Sequence, residues 1–143
     1  LLKLAKIKNI AGVKDSSRDF IQVLEILERV PKEFTVIVGT DAYILPALIM
    51  GVKGAITAYS NPFPELYVDM YREFLSGNLE KAKKLQFRIN AARRLLGNPP
   101  IAPLHEALKM RGVEAGHVRK PLRDLTGEER KKLRESLKAL GLL

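Results

Sequence analysis

The sequence contains no cysteine and only two histidines, His105 and His117. Disulfides, thiolate catalysis and cysteine-based zinc sites are therefore excluded, and two histidines alone cannot hold a metal ion. No window approaches the roughly 18 consecutive apolar residues that a membrane-spanning helix needs. Residues 1–9 carry three lysines and show no small-residue cleavage site. We therefore expect a cytoplasmic protein with no membrane segment, no metal and no cofactor.

The charge is distributed unevenly along the 143 residues. The formal net charge is +9, and all of it lies in residues 72–143, because residues 1–71 carry equal numbers of basic and acidic side chains. A basic half is typical either of nucleic-acid or acidic-membrane binding or of solvated helix faces. No aromatic residue is interleaved with the clusters 93–94, 119–120 and 130–134, and no nucleic-acid motif accompanies them. A solvated face or an oligomer contact is therefore favoured, and nucleic-acid binding is the weaker alternative.

Short apolar runs alternate with helical patterns in the first part of the chain. Strands are predicted over residues 9–15, 34–39 and 54–58, each followed by a helix, and the short links between them favour parallel strands with right-handed crossovers. The predicted helix starts are a capping box of Ser16 and Asp19 for the first helix and Thr40 or Asp41 for the second, in which Pro46 should produce a kink.

From Leu79 onward the sequence indicates helices only. They are predicted over residues 79–96, from about 103 to 112, and after the capping box of Thr126 and Glu129, with a break at 97–100 and an irregular segment over 112–125. We divide the chain into a β/α region, 1–78, and a helical region, 79–143. Three parallel strands leave two open edges, so the chain either self-associates or forms part of a larger sheet or barrel.

Lys14 is the candidate catalytic residue. It lies at the carboxyl end of the first predicted strand, where active sites of β/α barrels and open α/β sheets are found. Burial there would lower the pKa of the amine and free it to attack a carbonyl carbon. The alternative is that Lys14 only marks the strand end and extends into solvent.

Gly39 and Asp41 follow the second predicted strand. A glycine at this position allows a ligand to approach the backbone, and the start of the next helix favours an anion such as a carboxylate. The alternative is that Gly39 serves the turn and Asp41 caps the helix. The two histidines have no carboxylate, serine or cysteine at an informative spacing, so we interpret both as structural or exposed.

Several segments together resemble the carboxyl-terminal half of the dihydrodipicolinate synthase / N-acetylneuraminate lyase family. They occur in the order and spacing of the family and cover essentially the whole chain. The matching segments are NIAGVKDSS (9–17), FTVIVGTD (34–41), GVKGAIT (51–57), NPFPEL (61–66), APLHEALK (102–109) and VRKPL (118–122).

The resemblance implies an α/β fold: strands six to eight of a (β/α)8 TIM barrel, followed by a helical carboxyl-terminal region. It implies that Lys14 forms the Schiff base with pyruvate, that Gly39 lies beside the substrate, and that the main-chain carbonyl of Ile56 faces the lysine. Asp41 falls where sialic-acid-cleaving members keep an aspartate, but the following Ala42 weighs against a sialic acid substrate. The family's proton-relay tyrosine and its carboxylate-binding threonine loop belong to the first half of the barrel, which this sequence lacks.

Two classes of function follow. The first is a pyruvate-dependent lyase that acts when the barrel is complete, with pyruvate and aspartate semialdehyde as the preferred substrates and cleavage of 2-keto-3-deoxy sugar acids as the alternative. The second is a non-catalytic module that associates through its strand edges and basic helices. In either case we expect a homo-oligomer, a dimer or tetramer, and we expect this chain alone to be inactive.

Overall fold

Strands and helices alternate in the first part of the protein and helices follow in the second. The computed structural model describes residues 1–97 and 100–143. These residues form two compact units, Leu1–Thr57 and Ala58–Leu143. The predicted division after residue 78 separates the β/α units from the helical region, and it stays a prediction.

The first unit contains a short parallel sheet and two helices. After a 3₁₀ turn at Leu4–Lys6, the elements are β1 (Gly12–Asp15), α1 (Phe20–Arg29), β2 (Thr35–Val38) and α2 (Ile44–Ile49). The two strands are parallel, as predicted, and their register pairs Gly12 with Thr35 and Asp15 with Val38. Val23 of α1, Val36 and Val38 of β2, and Ala47 of α2 are almost completely buried.

The third predicted strand is reduced to a single parallel bridge between Val38 and Ala55. The N–H of Val38 donates to the Gly54 carbonyl, and the N–H of Ile56 donates to the Val38 carbonyl, both at 3.0 Å. A third bond links the segment to β2, because the Lys53 N–H donates to the Val36 carbonyl at 2.9 Å. The segment therefore lies parallel to β2, as predicted, and is bonded to it at Val36 and Val38, although Val38 and Ala55 form an isolated bridge rather than a strand.

The predicted caps of the first two helices are wrong. α1 is capped by Asp19 itself, whose carboxylate accepts the Gln22 N–H at 3.1 Å, and not by Ser16. Tyr43 precedes α2, and no side chain caps that helix. Pro46 is the third residue of α2, within the first turn, where an N–H has no partner inside the helix. The helix therefore continues past this proline to Ile49.

The second unit consists of helices α3 (Pro64–Leu75), α4 (Leu79–Leu96), α5 (Ile101–Met110) and α6 (Gly127–Ala139). α3 packs along α4, and α6 contacts both α4 and α5. The bounds of α4 and the capping box of Thr126 and Glu129 are confirmed, whereas α5 begins two residues earlier than predicted. Residues 112–125 form neither helix nor strand, as predicted. The predicted break at 97–100 includes positions 98 and 99, which lie outside the described residues.

The helices differ from membrane spans in composition. No helix within residues 1–97 and 100–143 combines the length and the apolar character needed to cross a bilayer.

Candidate active site

Lys14 lies on β1 opposite Ile37 of β2, one residue before the strand ends. The expectation that this strand is buried is wrong, because Asp15 is its only buried residue and Lys14 is exposed. Within the described residues β1 pairs with β2 alone, so the other edge of β1 is open. The Lys14 side chain is therefore open to solvent in this chain.

The structure brings Lys14 and Gly39 together. A Cβ atom added to Gly39 would lie 2.7 Å from the Lys14 Cε and 1.9 Å from the Ser16 Oγ. Both distances are shorter than real Cβ contacts, so the missing side chain of Gly39 provides the space that these two groups occupy. Two residues predicted separately, each at the carboxyl end of its own strand, thus form one site.

Ser16 belongs to the same site, in addition to the residues that the sequence predicts. Its position two residues after Lys14 gave a signal, but we interpreted Ser16 as a helix cap. Because Asp19 caps α1, the Ser16 hydroxyl is free of that role and lies against Gly39 on the same side as the Lys14 side chain.

Asp15 anchors the end of the strand next to Lys14. Its side chain is 7% exposed. One carboxylate oxygen accepts the N–H of Ser17 at 3.0 Å and the hydroxyl of Ser17 at 2.6 Å, and the other accepts the Gln22 amide at 2.6 Å. The Asp15 main-chain carbonyl accepts the Gly39 N–H, also at 2.6 Å. This single residue therefore connects β1 to the following turn, to α1 and to the end of β2.

The other two predicted site residues are Asp41 and Ile56. Asp41 is buried, with 2% of its surface exposed, and it does not cap α2. Ile56 has an exposed side chain, and its N–H is bonded to Val38. The contact of Asp41 with a substrate and the orientation of the Ile56 carbonyl toward Lys14 stay predictions.

Tyr43 contributes an unusual polar group beside these residues. Its ring packs on Phe20 with 5.0 Å between the ring centroids, and its hydroxyl oxygen is buried without a hydrogen-bond partner among the described residues. Burial raises the pKa of the Tyr43 hydroxyl, and the negative charges of Asp15 and Asp19 raise it further. The hydroxyl is therefore held in its neutral form.

A lysine beside a glycine at the carboxyl ends of adjacent parallel strands is the arrangement of an α/β protein with its site at one edge of the sheet. The model of the dihydrodipicolinate synthetase family matches residues 1–140. The chain therefore belongs to the dihydrodipicolinate synthetase family, as the sequence motifs predicted.

Relatives with related names occur in several organisms. The chain is 37% identical to a 4-hydroxy-tetrahydrodipicolinate synthase of Archaeoglobus fulgidus and 39% identical to one of Moorella thermoacetica, in each case over 99% of the chain and 49% of the relative. It is 38% identical to an uncharacterized DapA-like lyase of Halobacterium salinarum, over 100% of the chain and 47% of the relative. The chain thus spans about half the length of the curated relatives that it matches.

Solved structures give the same result. Dihydrodipicolinate synthase DapA-2 of Bacillus anthracis matches with a TM-score of 0.90 at 33% identity, over 96% of this chain and 48% of that one. The Aquifex aeolicus enzyme matches with a TM-score of 0.85 at 30% identity, over 99% and 49%. The Escherichia coli prophage protein YagE, solved in complex with pyruvate, matches with a TM-score of 0.85 at 25% identity, over 94% and 47%. The chain is an α/β protein that corresponds to about half of these TIM-barrel structures.

Proposed function

We propose that this chain provides the lysine-bearing part of a pyruvate-dependent lyase, and that the complete protein is a 4-hydroxy-tetrahydrodipicolinate synthase. In this proposal β1, β2 and the segment 54–58 are strands six, seven and eight of a (β/α)8 barrel, and α4 to α6 form its carboxyl-terminal helical region. Membership in the family and the names of relatives at 37% and 39% identity support the proposal.

The observation that carries the proposal is the position of Lys14 at the end of a parallel strand, with its Cε over the bare backbone of Gly39. A primary amine attacks a ketone carbon to give a carbinolamine, which loses water to form an iminium ion. With pyruvate, loss of a methyl proton then gives an enamine, whose carbon forms the new bond to the aldehyde carbon of aspartate semialdehyde. Hydrolysis of the resulting imine releases the product and restores the Lys14 amine.

The remaining site residues have supporting roles in this proposal. Gly39 leaves space beside Lys14 for the keto acid, the Ile56 carbonyl faces the amine, and Asp41 lies toward the aldehyde partner. Because Lys14 is exposed in this chain, the burial that activates its amine has to come from the rest of the barrel. We therefore propose that this chain alone is inactive.

The aldehyde partner is the least constrained part of the proposal. One relative at 38% identity is described only as a DapA-like lyase, and YagE is described as binding pyruvate without a named aldehyde. A 2-keto-3-deoxy sugar acid aldolase would use the same lysine with pyruvate as its product. Turnover with aspartate semialdehyde compared with cleavage of 2-keto-3-deoxygluconate distinguishes the two reactions.

Borohydride trapping tests the role of Lys14. The full-length protein is incubated with pyruvate and sodium borohydride, which reduces an imine to a stable secondary amine, and the modified peptide is identified by mass spectrometry. We expect the adduct on Lys14, its loss in Lys14→Met, and its retention in Lys32→Met, which removes an exposed lysine from the same unit. Absence of a pyruvate adduct from the parent protein, or an adduct that persists in Lys14→Met, would contradict the proposal.

A further inference from the structure

We propose that the buried carboxylate of Asp15 is a positioning group for Lys14. In this role its hydrogen bonds to Ser17 and Gln22 fix the carboxyl end of β1, so that the Lys14 side chain extends over Gly39. Because this role rests on the proposed function of Lys14, its test also has to show whether Lys14 reacts at all.

The first support is the number of bonds that converge on Asp15. Its carboxylate accepts three donors, two from Ser17 and one from Gln22, at 2.6–3.0 Å, and its main-chain carbonyl accepts a fourth from Gly39. A buried carboxylate is unfavourable unless it is well paired, and an apolar side chain would fill the same space at lower cost. Bonds to both oxygens of a buried carboxylate fix its orientation as well as its packing. They therefore indicate that the orientation of this strand end is fixed too.

The second support is the geometry of the peptide that Asp15 shares with Lys14. Side chains alternate along a strand, so Asp15 and Lys14 extend from opposite faces of β1. A rotation of the strand end that lets the carboxylate leave Gln22 therefore swings Lys14 in the opposite direction. Its Cε shares with the Ser16 hydroxyl the space left by Gly39, so such a swing moves the side chain out of that space.

The third support is the sensitivity of reactions between bound groups to small displacements. Moving a reacting group by about 1 Å can reduce a rate by about 100-fold. The Lys14 amine lies at the end of a long, flexible and exposed side chain. The strand backbone fixes the point from which this side chain extends, and Asp15 holds that point.

The test inverts the hydrogen bond between Gln22 and Asp15. Gln22→Glu places a second carboxylate where the amide now donates at 2.6 Å, so it opposes Asp15 without touching Lys14. Adding Asp15→Asn to Gln22→Glu restores a donor and an acceptor of the same lengths with their roles exchanged. Arg29→Gln is the control, because it makes the same change in net charge at an exposed position at the end of α1.

The readout is the rate at which the full-length protein forms the borohydride-trapped pyruvate adduct on Lys14, measured where circular dichroism shows every variant to be folded. We expect Gln22→Glu to slow trapping by about 10- to 100-fold, and we expect Asp15→Asn/Gln22→Glu and Arg29→Gln to stay within a few-fold of the parent. If Gln22→Glu does not fold, Gln22→Met removes the donor without adding charge, and we expect it to slow trapping as well.

Two results would overturn the positioning role. One is a Gln22 variant with a lowered unfolding temperature and an unchanged trapping rate, which would make the contact purely structural. The other is a double variant that regains its stability without regaining its rate. A parent protein that forms no adduct is a different failure, because it removes the proposed function and this role with it.

Discussion

Replacing Gly39 with alanine places a methyl group in space that two other side chains occupy. The added Cβ would lie 1.9 Å from the Ser16 Oγ, 2.7 Å from the Lys14 Cε and 2.9 Å from the Ser16 Cβ. The Gly39 backbone has little room to retreat, because its N–H is bonded to the Asp15 carbonyl at 2.6 Å. The overlap therefore has to be relieved by movement of Ser16 and Lys14.

The expected change in the free energy of unfolding of Gly39→Ala follows from two opposing effects. Inserting a methyl group into occupied space costs about 1–3 kcal/mol. Gly39 does not have the left-handed backbone conformation that disfavours other residues, so alanine also restricts the unfolded chain and recovers about 0.4–1 kcal/mol. Because the Lys14 side chain is flexible and exposed, it can swing away, and the net loss in free energy of unfolding should be about 1–2 kcal/mol. The larger effect should be on reactivity, since that movement takes the amine out of the site.

Urea unfolding measures the effect on stability and pyruvate trapping the effect on reactivity, both on the same samples of the full-length protein. We expect Gly39→Ala to lower the urea midpoint by roughly 0.5–1 M and to slow adduct formation on Lys14 by at least about tenfold. Gly54→Ala is the matched control, because no atom lies within 4 Å of the position its Cβ would take and its backbone is not left-handed. If Gly39→Ala and Gly54→Ala have equal midpoints and equal trapping rates, the close packing of Lys14 on Gly39 is refuted.

Two further predictions concern stability. Gly12→Ala should lower the free energy of unfolding by about 3 kcal/mol, more than Gly39→Ala does. The reason is that the added Cβ would lie 2.3 Å from the Thr35 carbonyl oxygen, a backbone atom that cannot rotate away. A urea midpoint equal to that of Gly54→Ala would contradict this prediction. Glu129→Gln should destabilise α6 at neutral pH, because Arg123 first and then the Thr126 N–H lower the pKa of Glu129 from 4.5 to about 2. A carboxylate whose pKa is lowered in the folded state stabilises that state at every pH above its unfolded-state pKa. The unfolding temperature of the parent should therefore approach that of Glu129→Gln as the pH falls from about 4.5 to about 2. A difference in unfolding temperature that persists at the acid end would show that the pairing is not its cause.

The sequence predicts best the elements that local residues determine. The bounds of α4 and the capping box of Thr126 and Glu129 are confirmed because the signals for both lie within a few residues of each helix end. The parallel pairing of β1 with β2 also follows from local patterns, since a short strand–helix–strand link leaves few other arrangements. Family membership follows from several motifs occurring in one order, a longer-range regularity than any single element provides.

The errors occur where a neighbouring residue or segment overrides local preference. Ser16 has a side chain suited to capping, but Asp19 lies immediately before α1 and takes that role. Asp41 likewise resembles a cap and is instead buried. In the third predicted strand, β-branched residues favour an extended chain, yet the segment forms an isolated bridge between Val38 and Ala55 in place of a full strand. Local propensity identifies each of these conformations as one that the residues can adopt. The neighbouring residues or segments then determine which conformation forms.

Gly39 shows why the site was predicted only in part. A glycine after a strand indicates either a turn or the close approach of another group, and its own sequence neighbourhood does not distinguish the two. In the structure the approaching groups are side chains of the protein itself, Lys14 and Ser16, which lie 25 and 23 positions earlier in the sequence. The resemblance to the family identified Lys14 and Gly39 separately, whereas the distances connect them and add Ser16 and Asp15. The reactivity of Lys14 should therefore depend on three neighbours: Gly39, which leaves space for its side chain, the Ser16 hydroxyl beside that space, and the Asp15 carboxylate that fixes the strand end.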